Sequence, residues 1–328
     1  MTLALRDISA PSAHEWFEAR SYRHAQFADL AGLAGRKREL GVSVSLVLPT
    51  REVAPTLGPV LDEVAALGER APLVDQVVVV DAESADGTAD LARGRGAEVY
   101  DESELMPTFG PVVGKGDAMW RALSVARGDL VVFADSDTAN FGRHFVYGLL
   151  GPLLREPAVR FVKGAYHRPF TAPDGTVIDD AGRVTELTAK PLFGIFYPEL
   201  CGFGQPLAGE VAARSDLLRS IPFCTGYAVE TAMMIDVLRA AGLGAMAQVD
   251  LGTRLNRSQR LLALGAMSYA VARAVLMRVA AEGRLPADVA AADAETYVRA
   301  ACTPGGVVLE QPRVKVLERP PMADVQCH

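Results

Sequence analysis

The chain has 328 residues, 50% of them hydrophobic and 22% charged, with a formal net charge of −7, a composition that excludes disordered, collagenous and fibrous classes. The acidic balance also excludes a general nucleic-acid binder, which needs a broad Lys/Arg surface, whereas a small anionic substrate needs only a few local cations. At roughly 150 residues per domain the length suits about two units, or one sheet with appended lobes.

Residues 1–40 read as a polar lead-in with a helical stretch, His14 to Leu33. Arg6 and Asp7 lie where a signal peptide would need its apolar core, so export is not expected. The first strong signal is Val42-Ser-Val-Ser-Leu-Val-Leu-Pro49, a β-branched apolar run closed by proline, which fits a buried parallel strand entering a loop. A helical pattern from Thr56 to Leu67 follows, then a strand Gln76 to Asp81, a helix from about Asp86 to Arg93 and a short strand Ala97 to Tyr100. A helix from Asp117 to Ala126 leads to the strand Leu130 to Ala134. This alternation predicts an α/β fold with a parallel sheet covered on both faces.

The second half is less regular. It reads as a helix Phe141 to Leu154, a strand Val159 to Ala165, a turn at Asp174-Gly175 and a helical segment Val184 to Phe196, with helices Val229 to Ala241 and Gln259 to Ala281 around a strand Ala245 to Leu251. The apolar stretch Leu261 to Val279 carries Arg273 and Arg278, which predicts a buried helix rather than a membrane span. Beyond Pro286, Pro304-Gly-Gly306 and Pro320-Pro321 read as loop or as an arm laid over a neighbouring subunit. Cys201, Cys224, Cys302 and Cys327 have no CxxC spacing, which suits a reducing, cytoplasmic compartment.

Ligands of open parallel sheets sit beyond the carboxyl ends of the strands. Three predicted strands end there in polar residues: Pro49-Thr-Arg-Glu52, Asp81-Ala-Glu-Ser84 with Asp86-Gly-Thr88, and Asp135-Ser136-Asp137. Two carboxylates one residue apart at a strand end can share a hard divalent cation and the diphosphate it bridges. A cap on the helix beginning after Asn140 is the plainer use of the same pattern, but the strand-like run before it and the other polar strand ends favour a metal. Asp81 could accept a hydrogen bond from a nucleobase or ribose, and Glu52 could take ribose hydroxyls. Gly114-Lys115-Gly116-Asp117 opens a predicted helix, where free N–H groups and a lysine can hold a phosphate, although as a motif it is no more than a turn. Gly182-Arg183-Val184-Thr185 offers backbone, guanidinium and hydroxyl donors for a carboxylate or phosphate, or simply a cap at Thr185. Glu210, Tyr227 and Glu230 fall in polar breaks, Arg254-Leu-Asn-Arg257 follows the last strand, and His167 beside Arg168 is the one histidine near a strand end.

Taken together, Val44-Ser-Leu-Val-Leu-Pro49, Asp81 to Thr88, Gly114-Lys-Gly-Asp-Ala-Met-Trp120, Val131-Val-Phe-Ala-Asp-Ser-Asp137, Gly182-Arg-Val-Thr-Glu-Leu187, Gln205-Pro-Leu-Ala-Gly-Glu210 and Gly226-Tyr-Ala-Val-Glu230 give a chain that resembles the retaining GT-A glycosyltransferases of the glucosyl-3-phosphoglycerate synthase and mannosyl-3-phosphoglycerate synthase family, actinobacterial type. The resemblance covers roughly residues 42–260. It implies a Rossmann-like GT-A nucleotide-sugar-binding sheet with a smaller, mostly helical acceptor-binding part: a lead-in at 1–40, a nucleotide-sugar region at 41–165, an acceptor and catalytic region at 166–285 and an arm at 286–328. It further implies transfer of a hexose from a nucleoside diphosphate sugar to the 2-hydroxyl of 3-phosphoglycerate, with Mg2+ or Mn2+ as cofactor, in a homodimer. On that likeness Pro49, Glu52, Asp81, Ser84, Lys115, Asp135, Ser136 and Asp137 hold the nucleotide sugar, and Gly182, Arg183, Thr185, Tyr227 and Asn256 the acceptor. Asp137 and Asn256 hold the metal, and Asp137, Lys115 and Glu230 stand at the reacting centre.

One position departs from the family pattern: Arg254-Leu-Asn256 stands where the glucosyl members carry Arg-x-His. Asparagine offers a neutral carbonyl oxygen in place of an imidazole nitrogen, and the departure favours mannose over glucose as the sugar. Two other activities compete with this reading. A sugar-phosphate nucleotidyltransferase would carry a Gly-rich basic loop after the first strand, where this chain has Thr-Arg-Glu-Val-Ala-Pro, and an inactive nucleotide-sugar binder would keep the fold without turnover. A dehydrogenase would need GxGxxG after a strand.

Overall fold

The computed structural model describes residues 12–70, 72–171, 177–178, 182–255, 261–286, 297–303 and 306–325. Its frame is one eight-stranded sheet. In chain order the strands are β1 (Ser21–Arg23), β2 (Val44–Thr50), β3 (Gln76–Asp81), β4 (Glu98–Asp101), β5 (Leu130–Phe133), β6 (Phe161–His167), β7 (Val211–Arg214) and β8 (Met246–Thr253). Their spatial order is β1-β8-β6-β7-β5-β2-β3-β4. Every neighbouring pair is parallel except those of β7, which runs antiparallel to both β5 and β6.

Side chains alternate along a strand, so a strand covered on both faces reads as an unbroken apolar run. In β2, Val44, Leu46 and Leu48 enter one core with Val79 and Val132, while Val47 enters the other with Val78, Val131 and Phe133. Among the described residues the α-helices are α1 (Ala13–Arg20), α2 (Leu30–Leu40), α3 (Ala54–Arg70), α4 (Thr88–Arg93), α5 (Gly114–Ala122), α6 (His144–Arg155), α7 (Lys190–Phe196), α8 (Ser215–Ser220), α9 (Val229–Ala241) and α10 (Leu261–Ala281).

Three expectations are corrected. The single helical stretch from His14 to Leu33 is two helices, because Ser12 caps α1 in a capping box with Glu15 and Asp29 caps α2 through Gly32 N–H. Between them Ser21–Arg23 pairs in parallel with Gln248, Val249 and Asp250, so the lead-in supplies the edge of the sheet. The segment Val184 to Phe196 is not one regular helix: Thr185–Ala189 is a π-helical turn that runs into α7. Part of the tail folds onto its own chain: Arg319 makes a bidentate pair with the fully buried Asp117, at 2.9 and 2.6 Å, and Trp120 Nε1 donates to Pro320 O at 2.8 Å. A buried anion on α5 draws in that cation, since an uncompensated charge there would be costly. The turn expected at Asp174-Gly175 lies outside the described residues.

The segment Ala263–Ala281 of α10 is long and apolar enough to cross a membrane, and 33% of it is buried in the fold. Ala270, Val271, Ala274, Val275 and Val279 are buried, and Arg278 binds Asp236 of α9 through two 2.7 Å hydrogen bonds, the docking expected of a helix carrying internal arginines. The sequence reading placed both arginines in a buried helix; one face of α10 is buried as expected and Arg278 is on it.

Candidate active site

Strands β2, β3, β5, β6 and β8 all end at one edge of the sheet, and β7 begins there because it runs the other way. That single reversal brings Glu210, the residue before β7, beside the residues that follow β5 and β8. A cavity of about 610 Å³ opens over this edge, lined by Lys115, Asp135, Asp137, Arg183, Tyr227 and Arg254 among others.

The acidic pair after β5 divides into two roles. Asp135 accepts from Lys115 Nζ at 2.5 Å through one oxygen and from Arg254 Nη2 at 2.9 Å through the other. Burial alone would raise its pKa, but Lys115 and Arg254 outweigh it and hold the carboxyl well below the usual range. Asp137 is exposed to the cavity and takes one bond, from Arg254 Nη2 to Oδ1 at 3.1 Å. Ser136 between them donates to Pro49 O at 2.8 Å, tying the loop to the end of β2.

Arg254 is the clamp of the site. Besides both aspartates it donates to Tyr166 Oη at 2.8 Å and Thr138 Oγ1 at 3.1 Å, with its Nε 3.6 Å from Glu210 Oε1. Glu210 is fully buried, and its carboxylate accepts no hydrogen bond from the described residues. Burial raises its pKa, opposed by Arg254. Lys115, first-turn residue of α5, is held between Asp135 and Glu230, the latter at 2.9 Å. Burial would lower the Lys115 pKa, and those two carboxylates raise it far above its ordinary value, so a fixed positive charge faces the cavity. The helix can start so close because Gly114 adopts φ +70° and Gly116 lies against the Cys224 carbonyl, where a Cβ would come within 2.2 Å.

Beneath this layer Lys163 of β6 is fully buried and donates to Ala208 O at 2.6 Å, supporting the turn that carries Gly209 against Asp135. Burial lowers its pKa to about 8, partly countered by Glu230.

The remaining sequence candidates fall into two groups. Gly182, Arg183, Thr185 and Tyr227 line the cavity, with Gly182 at φ +116° and Thr185 opening the π-helical turn. Arg168, after β6, lines the same region. By contrast Asp81, Glu52 and Ser84 knit the β2 and β3 loops together. Asp81 accepts from Thr50 Oγ1 at 2.7 Å, Ser84 Oγ at 2.8 Å and Ser84 N at 2.8 Å. Glu52 accepts from Ala85 N at 2.8 Å. Pro49 and Ser136 line the cavity; Asp81, Glu52 and Ser84 are not among its lining residues. Asn256 lies outside the described residues.

Sequence reasoning passed over Lys163 and Glu102. Glu102 lines the cavity directly after β4, where the strand-end rule would have found it, and Lys163 is hidden as one polar residue in an apolar strand.

A divalent cation fits this donor set through Asp137. One oxygen is held by Arg254 and the carboxylate still faces the cavity, while Asp135 is committed to two cations of its own. Among the described residues no three His, Cys, Asp or Glu side chains gather around a common point. A hard cation needs only one or two protein carboxylates when substrate phosphates complete its shell, and Asp137 supplies one.

A mixed sheet of this topology, with an acidic pair, a lysine and an arginine at its ligand edge, defines a GT-A glycosyltransferase. A model of glycosyl transferase family 2 matches residues 45–175. A mannosyl-3-phosphoglycerate synthase from Rubrobacter xylanophilus superposes with a TM-score of 0.90 at 56% identity, covering 98% of this chain and 100% of that one. A glucosyl-3-phosphoglycerate synthase from Mycobacterium tuberculosis, solved with Mn2+, UDP and glucosyl-3-phosphoglycerate, superposes with a TM-score of 0.78 at 36% identity over 92% and 98% of the two chains. The glucosyl-3-phosphoglycerate synthase of Petrotoga mobilis is 36% identical over 307 residues, 93% of this chain and 94% of the relative. The chain belongs to the glucosyl-3-phosphoglycerate and mannosyl-3-phosphoglycerate synthase family, and it is a glycosyltransferase.

Proposed function

We propose that the chain is a retaining hexosyltransferase that moves a hexose, mannose in preference to glucose, from a nucleoside diphosphate hexose to the 2-hydroxyl of 3-phosphoglycerate. The donor is GDP-mannose, or GDP- or UDP-glucose, and the product is mannosyl- or glucosyl-3-phosphoglycerate, a precursor of mannosylglycerate or glucosylglycerate. The observation that carries this reading is that one cavity is lined both by Lys115, Asp137 and Arg254 and by Gly182, Arg183, Thr185 and Tyr227. The first set suits a diphosphate, and the second supplies guanidinium, hydroxyl and backbone donors for an acid with a phosphate group. The stronger likeness to a mannosyl than to a glucosyl enzyme, 56% against 36% identity, supports mannose.

A Mg2+ or Mn2+ ion at Asp137, with Asn256 as a second ligand, would neutralise charge on the departing β-phosphate. Lys115 places a fixed cation beside it, and Asp135 and Glu230 keep that lysine protonated and aimed. Arg254 orients both aspartates. As the bond between the anomeric carbon and the β-phosphate oxygen breaks, the acceptor 2-hydroxyl attacks from the same face and its proton passes to that phosphate oxygen. Glu52, Asp81 and Ser84 shape the nucleoside end by fixing the β2 and β3 loops. The division at residues 40, 165 and 285, a cytoplasmic setting and a homodimer belong to the same proposal. For the dimer, the hairpin Arg299–Thr303 and Gly306–Glu310 leaves Val307 and Leu309 72% and 67% exposed.

The test is a matrix of GDP- and UDP-hexoses against 3-phosphoglycerate and uncharged glycerate. The reading expects nucleoside diphosphate release only when 3-phosphoglycerate is present. Release without acceptor, or pyrophosphate release from a nucleoside triphosphate and sugar phosphate, would contradict it.

A further inference from the structure

Glu102 is a cavity residue that the reaction described above does not use. It follows β4 directly, and its N–H donates to Asp81 O at 2.9 Å, which fixes its backbone beside the end of β3. Its side chain is half-buried, and among the described residues no hydrogen bond reaches its carboxylate. Burial pushes its pKa up to about 7, with Arg51 the main opposing charge and Asp101 and Asp117 reinforcing the rise, the last opposed by Arg121.

Its place in the sheet says which part of the donor it meets. Asp135 and Asp137 follow β5, and β2 and β3 lie between β5 and β4. Glu102 is therefore three strand spacings, about 14 Å, from the diphosphate position. A nucleoside extending from a diphosphate over β2 and β3 brings its base to that end. Asp81, at the end of β3, already takes three protein hydrogen bonds, which leaves about one of a carboxylate's four accepting sites for a base.

We propose that Glu102 is a specificity-determining residue that reads the donor nucleobase as guanine, its two carboxylate oxygens accepting N1–H and the N2 amino group. The two N–H donors of guanine favour the ionised form of a carboxyl whose pKa burial has raised, whereas uracil offers one N–H flanked by two carbonyl oxygens, which that carboxylate repels; a site built for two donors rejects a ligand with one. This rests on the transferase reading, whose donor base it names.

The experiment is calorimetric titration of the full chain with GDP and with UDP, each with manganese, for wild type, Glu102→Ala and Glu102→Gln. Hexosyl transfer from GDP-mannose and UDP-glucose is measured on the same samples. Wild type is expected to prefer GDP. Glu102→Ala should weaken GDP by about 10- to 100-fold, the range for losing a bidentate base contact, with UDP changed less than about threefold. Glu102→Gln, which keeps the shape but turns one acceptor into a donor, should move the ratio further toward UDP. An unchanged GDP-to-UDP ratio in both variants, or a wild-type preference for UDP, overturns the assignment. Absence of transfer to 3-phosphoglycerate from every donor, with GDP binding still dependent on Glu102, would instead overturn the transferase reading and leave base recognition standing.

Discussion

Asp135 and Asp137 are chemically identical and sit two positions apart, yet their surroundings separate them. Asp135 is spent on Lys115 and Arg254, whereas Asp137 is turned toward the cavity with one bond. Asp137→Ala should therefore lower kcat by at least about 100-fold while leaving the melting temperature near that of wild type, because an exposed side chain with one hydrogen bond contributes little to stability. Steady-state assays with manganese check this, and wild-type turnover would remove Asp137 from the metal site. Arg183→Ala acts on the other substrate. It should raise the KM for 3-phosphoglycerate about tenfold with kcat within a factor of about two, the pattern of lost uniform binding; a fall in kcat alone would place Arg183 at the reacting centre instead.

At the scale of elements, α5 is set down with no clearance: a Cβ on Gly116 would lie 2.2 Å from the Cys224 carbonyl oxygen and 2.7 Å from Val229 Cβ. Gly116→Ala should cost about 1–3 kcal/mol by overpacking and also weaken nucleotide binding, since Lys115 rides on the same turn. Urea denaturation and GDP titration on one preparation would show whether both fall. How legible an element was in the sequence follows from how it is stabilised. β2, β3 and β5 are buried on both faces, so their apolar runs announce them. Ser21–Arg23 has no apolar run, because an edge strand is held by its backbone pairing with β8. Val-Ala-Ala-Arg of β7 is too short and too small to read as a strand, and its neighbours impose the conformation. The acidic pair at the end of β5 was legible from position alone. The Arg254 link to Asp135 was not, since it joins residues 119 positions apart and exists only once the sheet has formed.

Across the whole molecule, the site stands on buried charges of both signs, and one of them leaves a mark on global stability. Lys163 has a folded pKa depressed to about 8 from the ordinary 10.5, so below pH 8 both folded and unfolded chains carry its proton and the burial penalty is fully present. Between about pH 8 and 10.5 the unfolded chain binds more protons, and the Lys163 contribution to stability rises with pH. The difference in urea midpoint between wild type and Lys163→Met should therefore shift in favour of wild type across that window; a flat difference would mean that Lys163 keeps its charge when buried.

The reversed strand at the centre of the sheet carries a final implication. Val211 sits opposite Phe133 on one side and Lys163 on the other, with Glu210 just before it. Slipping that pairing by a single residue would send the carboxylate to the far layer and bring an isopropyl group up to the guanidinium instead. Misthreaded molecules would thus be mute rather than sluggish or promiscuous.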